Sequence, residues 1–94
     1  MLRFVVEGES MQPTYHKGDR LLIDPLFWKI IGLHMNDVIV LKHPHSSKLL
    51  LKRIVKANNG AIFVEGDNKT VSADSRIFGA IGKDRIIGKV FLRV

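Results

Sequence analysis

Ser10 is the first residue of the chain whose type and setting suit nucleophilic chemistry. The run Arg3–Val6 is apolar and β-branched, and it gives way to Gly8, Ser10 and Pro13 within a few residues. A strand that stops at a small, exposed serine beside a proline of fixed φ can present that serine for covalent catalysis. An ordinary corner between two strands is the competing interpretation of the same residues.

Lys52 is the residue that can supply a base for Ser10. It lies in the apolar run Lys48–Ala57, where alternate side chains point to opposite faces. Both faces look buried, so either Lys52 or Arg53 must lie among apolar side chains. Arginine stays charged there, whereas lowering a lysine pKa from ~10.4 to about 7–8 takes ~3–4 kcal/mol of desolvation. A neutral amine can take a serine proton, although a lysine that reaches solvent from an edge strand explains the same pattern.

The segment 66–79 is dense in Gly, Asp, Asn and Ser and contains groups able to hold such a lysine. Ser72 can exchange a hydrogen bond with the lysine amine and so orient the base. Asp74 and Arg76 can form a bidentate ion pair that pins the loop. A plain, turn-rich connection is the alternative.

The four histidines are interpreted as surface residues. His43 and His45 share one face of an extended chain, as two metal ligands would, yet no carboxylate or third ligand follows at metal spacing. No metal and no other cofactor is therefore predicted. A Ser-His-Asp triad remains an alternative, because triads are recognised by geometry and not by order in the chain.

Short β-type runs separated by turn residues must position these groups. The predicted strands are Arg3–Val6, Arg20–Asp24, Asp37–Lys42, Lys48–Ala57, Ala61–Glu65 and Ile86–Val94. Asn58-Asn59-Gly60 contains Asn-Gly, the strongest short hairpin signal. The pattern predicts one all-β, antiparallel domain over residues 1–94, in the form of a folded sheet or barrel.

The composition fits a folded domain, with 46% hydrophobic and 26% charged residues among 94. The absence of cysteine excludes disulfides and thiolate metal sites. A net charge of +6 is compatible with binding to nucleic acid, to an anionic membrane or to an acidic partner. The basic residues are scattered along the sequence, however, so most of them are predicted to lie on a solvent-exposed face. A basic β-barrel for single-stranded nucleic acid is an alternative function, although the aromatic residues are too dispersed for a stacking platform. A non-catalytic interaction module is another.

The apolar stretch Leu21–Met35 is interrupted by charged residues, proline and glycine, so no bilayer span or signal peptide is predicted. A complete chain would then be cytoplasmic, and a missing upstream anchor would make it membrane-associated. Within that stretch, Leu26–Leu33 is too apolar for a plain loop. It is predicted either as a lid over the core or as an exposed patch that rests on a membrane surface. The oligomeric state is left open.

Several segments, in this order, resemble the signal peptidase I family of Ser/Lys endopeptidases. They are Gly8–Thr14 with Gly18-Asp19, then Asp37–Val40, then Lys52–Val55, and finally Gly66–Asn68 with Ser72–Arg76 and Phe78-Gly79. The resemblance implies an all-β fold of the signal peptidase/LexA catalytic type, with Ser10 as nucleophile and Lys52 as general base. It also implies that Ser72 holds the Lys52 amine and that Asp74 and Arg76 brace the site.

The resemblance implies a substrate class as well. Substrates would be extended precursor polypeptides with small residues before the cleaved bond, bound by strand addition beside the nucleophile, with Met11 and Pro13 as contacts. The backbone N–H of Ser10 would serve in the oxyanion hole. Some members add a hydroxyl two residues before the nucleophile, where this chain has Gly8, so the second donor is unassigned.

The compact length sets this sequence apart from typical members, which carry membrane helices and an extra β-domain between the lysine strand and the Gly-Asp-Asn motif. Neither is seen here, since Ala57 to Gly66 is only a hairpin's length. With Lys42-His43-Pro44 before the lysine strand, the compact form looks like nickel-type superoxide dismutase maturation proteases, which remove an N-terminal extension from a precursor.

Overall fold

Antiparallel strands form one folded sheet in the computed structural model, which describes residues 1–70 and 75–94. The strands of this part of the chain are β1 (Leu2–Val5), β2 (Arg20–Asp24), β3 (Val38–Lys42), β4 (Leu49–Asn58), β5 (Ala61–Glu65) and β6 (Ile86–Arg93). Their order across the sheet is β1-β2-β6-β3-β4-β5. The predicted all-β antiparallel class is confirmed, and no predicted strand differs from the observed one by more than one residue at either end.

Asn59 and Gly60 close the hairpin between β4 and β5 with φ values of 50° and 83°. Two positive φ angles are what a type I′ turn requires, so the hairpin predicted from Asn-Gly is confirmed. β5 pairs with the second half of β4 only, from Arg53 to Asn58. The first half of β4 therefore has β3 on one side and, among the described residues, no strand on the other.

Two apolar clusters lie on opposite faces of β3, because successive side chains of a strand alternate. The first cluster contains Ile39, Leu41, Trp28, Ile54, Ile62, Val64, Ile81 and Ile86. The second contains Val38, Val40, Val6, Met11, Leu21, Ile23 and Leu51. Because both faces of β3 are buried, its sequence from Val38 to Leu41 is uninterruptedly apolar.

The segment after β2 forms the short helix α1 (Trp28–Ile31). Asp24 starts it, because Oδ1 accepts the N–H groups of Leu26 at 3.0 Å and Phe27 at 2.8 Å. Trp28 is 5% exposed and packs in the first cluster. Part of this segment is thus the predicted lid over the core.

The apolar side chains around Trp28 point outward. Leu26, Phe27, Ile30 and Ile31, called here the α1 patch, are between 62% and 82% exposed. The segment therefore combines the two predicted alternatives, a lid and an exposed patch. Within residues 1–70 and 75–94, no helix has both the length and the apolar character needed to cross a membrane.

Candidate active site

Ser10 and Lys52 line one open groove of about 720 Å³. One wall comes from β1 and the turn after it, and the other comes from the first half of β4. The lining residues are Phe4, Val5, Glu7, Gly8, Glu9, Ser10, Lys17 and Lys48 to Lys52. The structure thus brings together the two residues that the sequence singled out as nucleophile and base.

Lys52 is 2% exposed, whereas Ser10 is half-buried in the groove. On β4, Lys52 points to the same face as Leu50 and Ile54, which belong to the first apolar cluster or pack against it. Removal from water disfavours the charged form of an amine. The setting is one in which a lysine can act as a general base.

Arg53 points to the opposite side of β4 and binds Asp67 in the segment Gly66–Asn68. Its Nε and Nη2 donate to Oδ1 and Oδ2 of Asp67, both at 2.9 Å, and its Nη1 donates to the carbonyl of Asn36 at 2.7 Å. The hydrogen bonds from Arg53 hold the pKa of the Asp67 carboxyl below its usual value, and Asp67 in turn raises the pKa of Arg53. Of the two adjacent basic residues in the strand, Lys52 lies among apolar side chains and Arg53 lies in a bidentate pair.

The segment Gly66–Asn68 also forms hydrogen bonds with the turn that carries Ser10. The backbone N–H of Asn68 donates to the carbonyl of Ser10 at 2.8 Å, and its side-chain Nδ2 donates to the carbonyl of Glu9 at 3.1 Å. The Thr14 hydroxyl donates to the Asp67 carboxylate. This segment therefore connects the turn that carries Ser10 to the strand that carries Lys52.

These contacts give Asp67 and Asn68 structural roles that the sequence did not predict. In the sequence the two residues were recognised only as part of the Gly-Asp-Asn motif. One signal was available. An arginine in a strand with two buried faces needs a carboxylate partner, and Asp67 is the acidic residue of the Gly-Asp-Asn motif. Nothing in the sequence indicated the hydrogen bond from Asn68 to the carbonyl of Glu9, which lies 59 residues earlier.

Met11 and Pro13 do not line the groove. Met11 is 1% exposed in the second apolar cluster, where it anchors the turn from below, and Pro13 is exposed. Gly8 lines the groove with a φ of 74°, in the left-handed region that favours glycine. The predicted contacts of Met11 and Pro13 with a substrate stay predictions.

Ser72 and Asp74 lie outside the described residues, so their predicted roles stay predictions. Arg76 is exposed on the short helix α2 (Ser75–Phe78). The same helix contacts the sheet through Ser75, whose Oγ accepts the N–H of Val64 on β5 at 2.8 Å.

The chain matches known proteins along nearly its whole length. Residues 2–91 match the Peptidase S24-like family. Mitochondrial inner membrane protease subunit 1 of Xenopus tropicalis is 32% identical, over 96% of this chain and 66% of the relative. Signal peptidase IB of Staphylococcus aureus is 26% identical over 96% of this chain and 75% of the relative. Signal peptidase I V of Bacillus subtilis is 25% identical over 93% and 82%.

The chain is shorter than these relatives. It spans about two thirds of the length of the mitochondrial protein. The alignments with the two bacterial proteins extend over 145 and 138 positions, against 94 residues here, so both relatives contain segments that this chain lacks.

Proposed function

The chain belongs to the Peptidase S24-like family and resembles signal peptidase I, and we propose that it is a serine endopeptidase that works through Ser10 and Lys52. The observation that carries the proposal is the shared groove, in which Ser10 is accessible and Lys52 is 2% exposed. A nucleophile beside a lysine deprived of water is the arrangement that a Ser/Lys dyad needs.

The proposed reaction has two halves. The Ser10 Oγ attacks the scissile carbonyl carbon while the Lys52 amine takes the hydroxyl proton, and the amine then gives that proton to the leaving nitrogen as the C–N bond breaks. Water attacks the resulting ester in the second half, with Lys52 again accepting a proton. Lys52 returns this proton to the Ser10 Oγ as the ester C–O bond breaks, which regenerates Ser10 and releases the N-terminal fragment with a new carboxylate.

The first half of β4 supports binding of an extended substrate. In an antiparallel pair, residues whose backbone groups bond the partner strand alternate with residues whose groups point away. The carbonyl of Lys48 accepts the N–H of His43 on the β3 side at 2.8 Å. By this alternation, Leu49 and Leu51 direct their N–H and C=O groups away from β3, towards the groove.

The β1 wall has the same property. Val6 bonds the β2 side through both backbone groups, with its N–H 2.9 Å from the carbonyl of Asp19 and its C=O 2.8 Å from the N–H of Gly18. Val5, which is opposite Arg20, therefore directs its backbone groups away from β2. An extended peptide between the two walls would find hydrogen-bonding partners on both sides, which supports strand addition as the binding mode.

We further propose a precursor with an N-terminal extension as the substrate. The support is the similarity to signal peptidases and the short connection between β4 and β5. The compact form makes a nickel-type superoxide dismutase precursor the first candidate. Incubating that precursor with the purified chain and reading the new N-terminus by mass spectrometry tests this choice; an intact N-terminus would reject it.

The dyad is tested with fluorogenic peptides that carry alanine before the scissile bond. Ser10→Ala and Lys52→Ala should each abolish cleavage. Lys52→Arg should be inactive too, because arginine keeps its charge and cannot serve as a base. Lys56→Ala is the matched control, since Lys56 lies exposed on the same strand with its Nζ 5.6 Å from the ring centroid of Phe63. Full activity in folded Ser10→Ala or Lys52→Ala would overturn the dyad, whereas a wild type that cleaves no peptide would leave a non-catalytic module.

A further inference from the structure

The two carbonyl groups that flank Ser10 in the chain are both held by Asn68. Its side-chain Nδ2 donates to the Glu9 carbonyl, and its backbone N–H donates to the Ser10 carbonyl. A trans peptide unit is planar, and its C=O and N–H point in opposite directions. The N–H of Ser10 shares a unit with the Glu9 carbonyl, and the N–H of Met11 shares a unit with the Ser10 carbonyl. Both N–H groups therefore point away from Asn68.

The side of the turn away from Asn68 is the groove side. Glu9 and Ser10 line the groove, whereas Asn68 and Met11 do not. The Met11 N–H nevertheless belongs to the peptide unit that begins at Ser10. The turn itself is closed by the N–H of Gln12, which donates to the Glu9 carbonyl at 3.2 Å. A turn closed in this way makes no use of the N–H groups of its two central residues, here Ser10 and Met11.

We propose that Asn68 is a positioning residue that fixes the N–H groups of Ser10 and Met11 as the two donors of the oxyanion hole. This rests on the proposed function, since an oxyanion forms only when Ser10 attacks a carbonyl. The inference accounts for Gly8, which has no hydroxyl to offer as a second donor: the backbone of Met11 takes that place. It also gives Met11 a role through its N–H while its side chain stays in the core.

Thr70 sets the orientation of the Asn68 amide. Its hydroxyl donates to Asn68 Oδ1 at 2.9 Å, and its backbone N–H donates to the same oxygen at 3.3 Å. With Oδ1 engaged by two donors, Nδ2 is the atom left to face the Glu9 carbonyl. A chain of contacts thus runs from Thr70 through Asn68 to the peptide units around the nucleophile.

Asn68→Ala tests the proposal, with Asn58→Ala on the exposed end of β4 as the matched control. Loss of one oxyanion donor typically lowers kcat about 10²–10³-fold, so a loosened donor should lower it about 10–100-fold. KM should change less than about threefold, because the substrate is bound by strand edges and not by the oxyanion hole. Affinity for a peptide aldehyde, which forms a tetrahedral adduct on Ser10, should fall with kcat. An unchanged kcat, or a loss confined to KM, would overturn the proposal.

Two further measurements keep the outcome decisive. If Asn68→Ala does not fold, Thr70→Val keeps Asn68 in place and should lower kcat in the same direction by a smaller factor. The amide ¹⁵N shift of Ser10 senses the hydrogen bond on the preceding carbonyl and needs no turnover; it should move in Asn68→Ala and not in Asn58→Ala. An unmoved shift overturns the positioning role. If the wild type shows no Ser10-dependent cleavage, the proposed function has failed, and a moved shift then supports the Asn68 contact alone.

Discussion

Arg53 and Asp67 are joined by two parallel hydrogen bonds, from Nε to Oδ1 and from Nη2 to Oδ2, each 2.9 Å long. The pair connects β4 to the segment Gly66–Asn68, which in turn holds the Ser10 turn. Because Lys52 and Arg53 are neighbours on a strand, they point to opposite faces. The same strand therefore places one basic residue in the groove and uses the next to anchor the segment that holds the Ser10 turn.

Asp67→Asn should destabilise the protein at neutral pH and lose that effect in acid. The hydrogen bonds from Arg53 hold the Asp67 pKa below its ordinary value of 3.8. A carboxyl with a lowered folded-state pKa contributes stability that is present above its unfolded pKa and lost as the pH falls through the folded value. We expect a deficit on the order of 1 kcal/mol near pH 7, since the pair is partly exposed.

Thermal unfolding of both proteins as a function of pH checks this. The difference between wild type and Asp67→Asn should be constant above about pH 5 and shrink below about pH 4. Asp84→Asn, at an exposed carboxyl on the 3-10 turn Lys83–Arg85, is the control and should show no such trend. A difference that is independent of pH would contradict the role given to the ion pair.

Peptide cleavage should rise with pH through the neutral and alkaline range. The proposed base is active only as the neutral amine, and that fraction grows as protons leave Lys52. Measurement of kcat/KM between about pH 6 and 10 should give a rise governed by a single proton. A bell-shaped profile that falls above pH 7, together with inactivation by reagents directed at histidine, would instead favour a Ser-His mechanism.

Gly88→Ala should lower stability by about 1–3 kcal/mol, the usual cost of overpacking. A Cβ at Gly88 would lie 2.5 Å from both the carbonyl oxygen of Asp24 and Cγ2 of Ile23, at the end of the pairing between β6 and β2. Backbone in the middle of a sheet cannot move aside cheaply. Urea unfolding measures the change.

Gly82→Ala is the matched control for Gly88→Ala. A Cβ at Gly82 would meet Oδ1 of Asp84 at 2.6 Å, but that atom ends a flexible side chain, which can rotate away. Equal destabilisation by the two substitutions would show that the close approach between β6 and β2 is not the cause.

The α1 patch is expected to bind anionic vesicles. Its four apolar side chains are exposed beside Lys29, and the chain carries a net charge of +6, so apolar insertion and charge attraction act together. Ile30→Glu should reduce co-sedimentation with such vesicles severalfold. Ile77→Glu, at an isoleucine that is 76% exposed on α2, is the control and should leave it unchanged. Equal sedimentation of wild type and Ile30→Glu would contradict the prediction.

The strands and the β4–β5 hairpin could be predicted because their signals are local. Alternation of side chains and the Asn-Gly pair act within a few residues. The order of the strands could not, since β6 lies between β2 and β3, far from both in sequence. Residue type indicated that a basic residue of β4 would be buried, but only packing decided that it is Lys52 and not Arg53.

The sequence indicated which residues to propose for the chemistry of the site, but it did not indicate the contacts that support them. Ser10 and Lys52 stood out by type and setting, whereas the contacts of Asn68 span 58 or 59 residues and involve backbone carbonyls, which no sequence pattern marks. Met11 was expected to contact the substrate as a neighbour of the nucleophile. Its side chain instead packs in the second apolar cluster, with Val6 and Leu21.

The order of the sheet also constrains the polarity of anything that binds in the groove. Four antiparallel pairings separate β1 from β4, so the two walls run in the same N-to-C direction. A peptide held between them is therefore parallel to both or antiparallel to both. With one more or one fewer strand between β1 and β4, the two walls would run in opposite directions. Both edges would therefore pair with the peptide in the same geometry. A retro-peptide with the same side chains in reverse order has an identical backbone and could pair with both edges, so only contacts with its side chains could reject it.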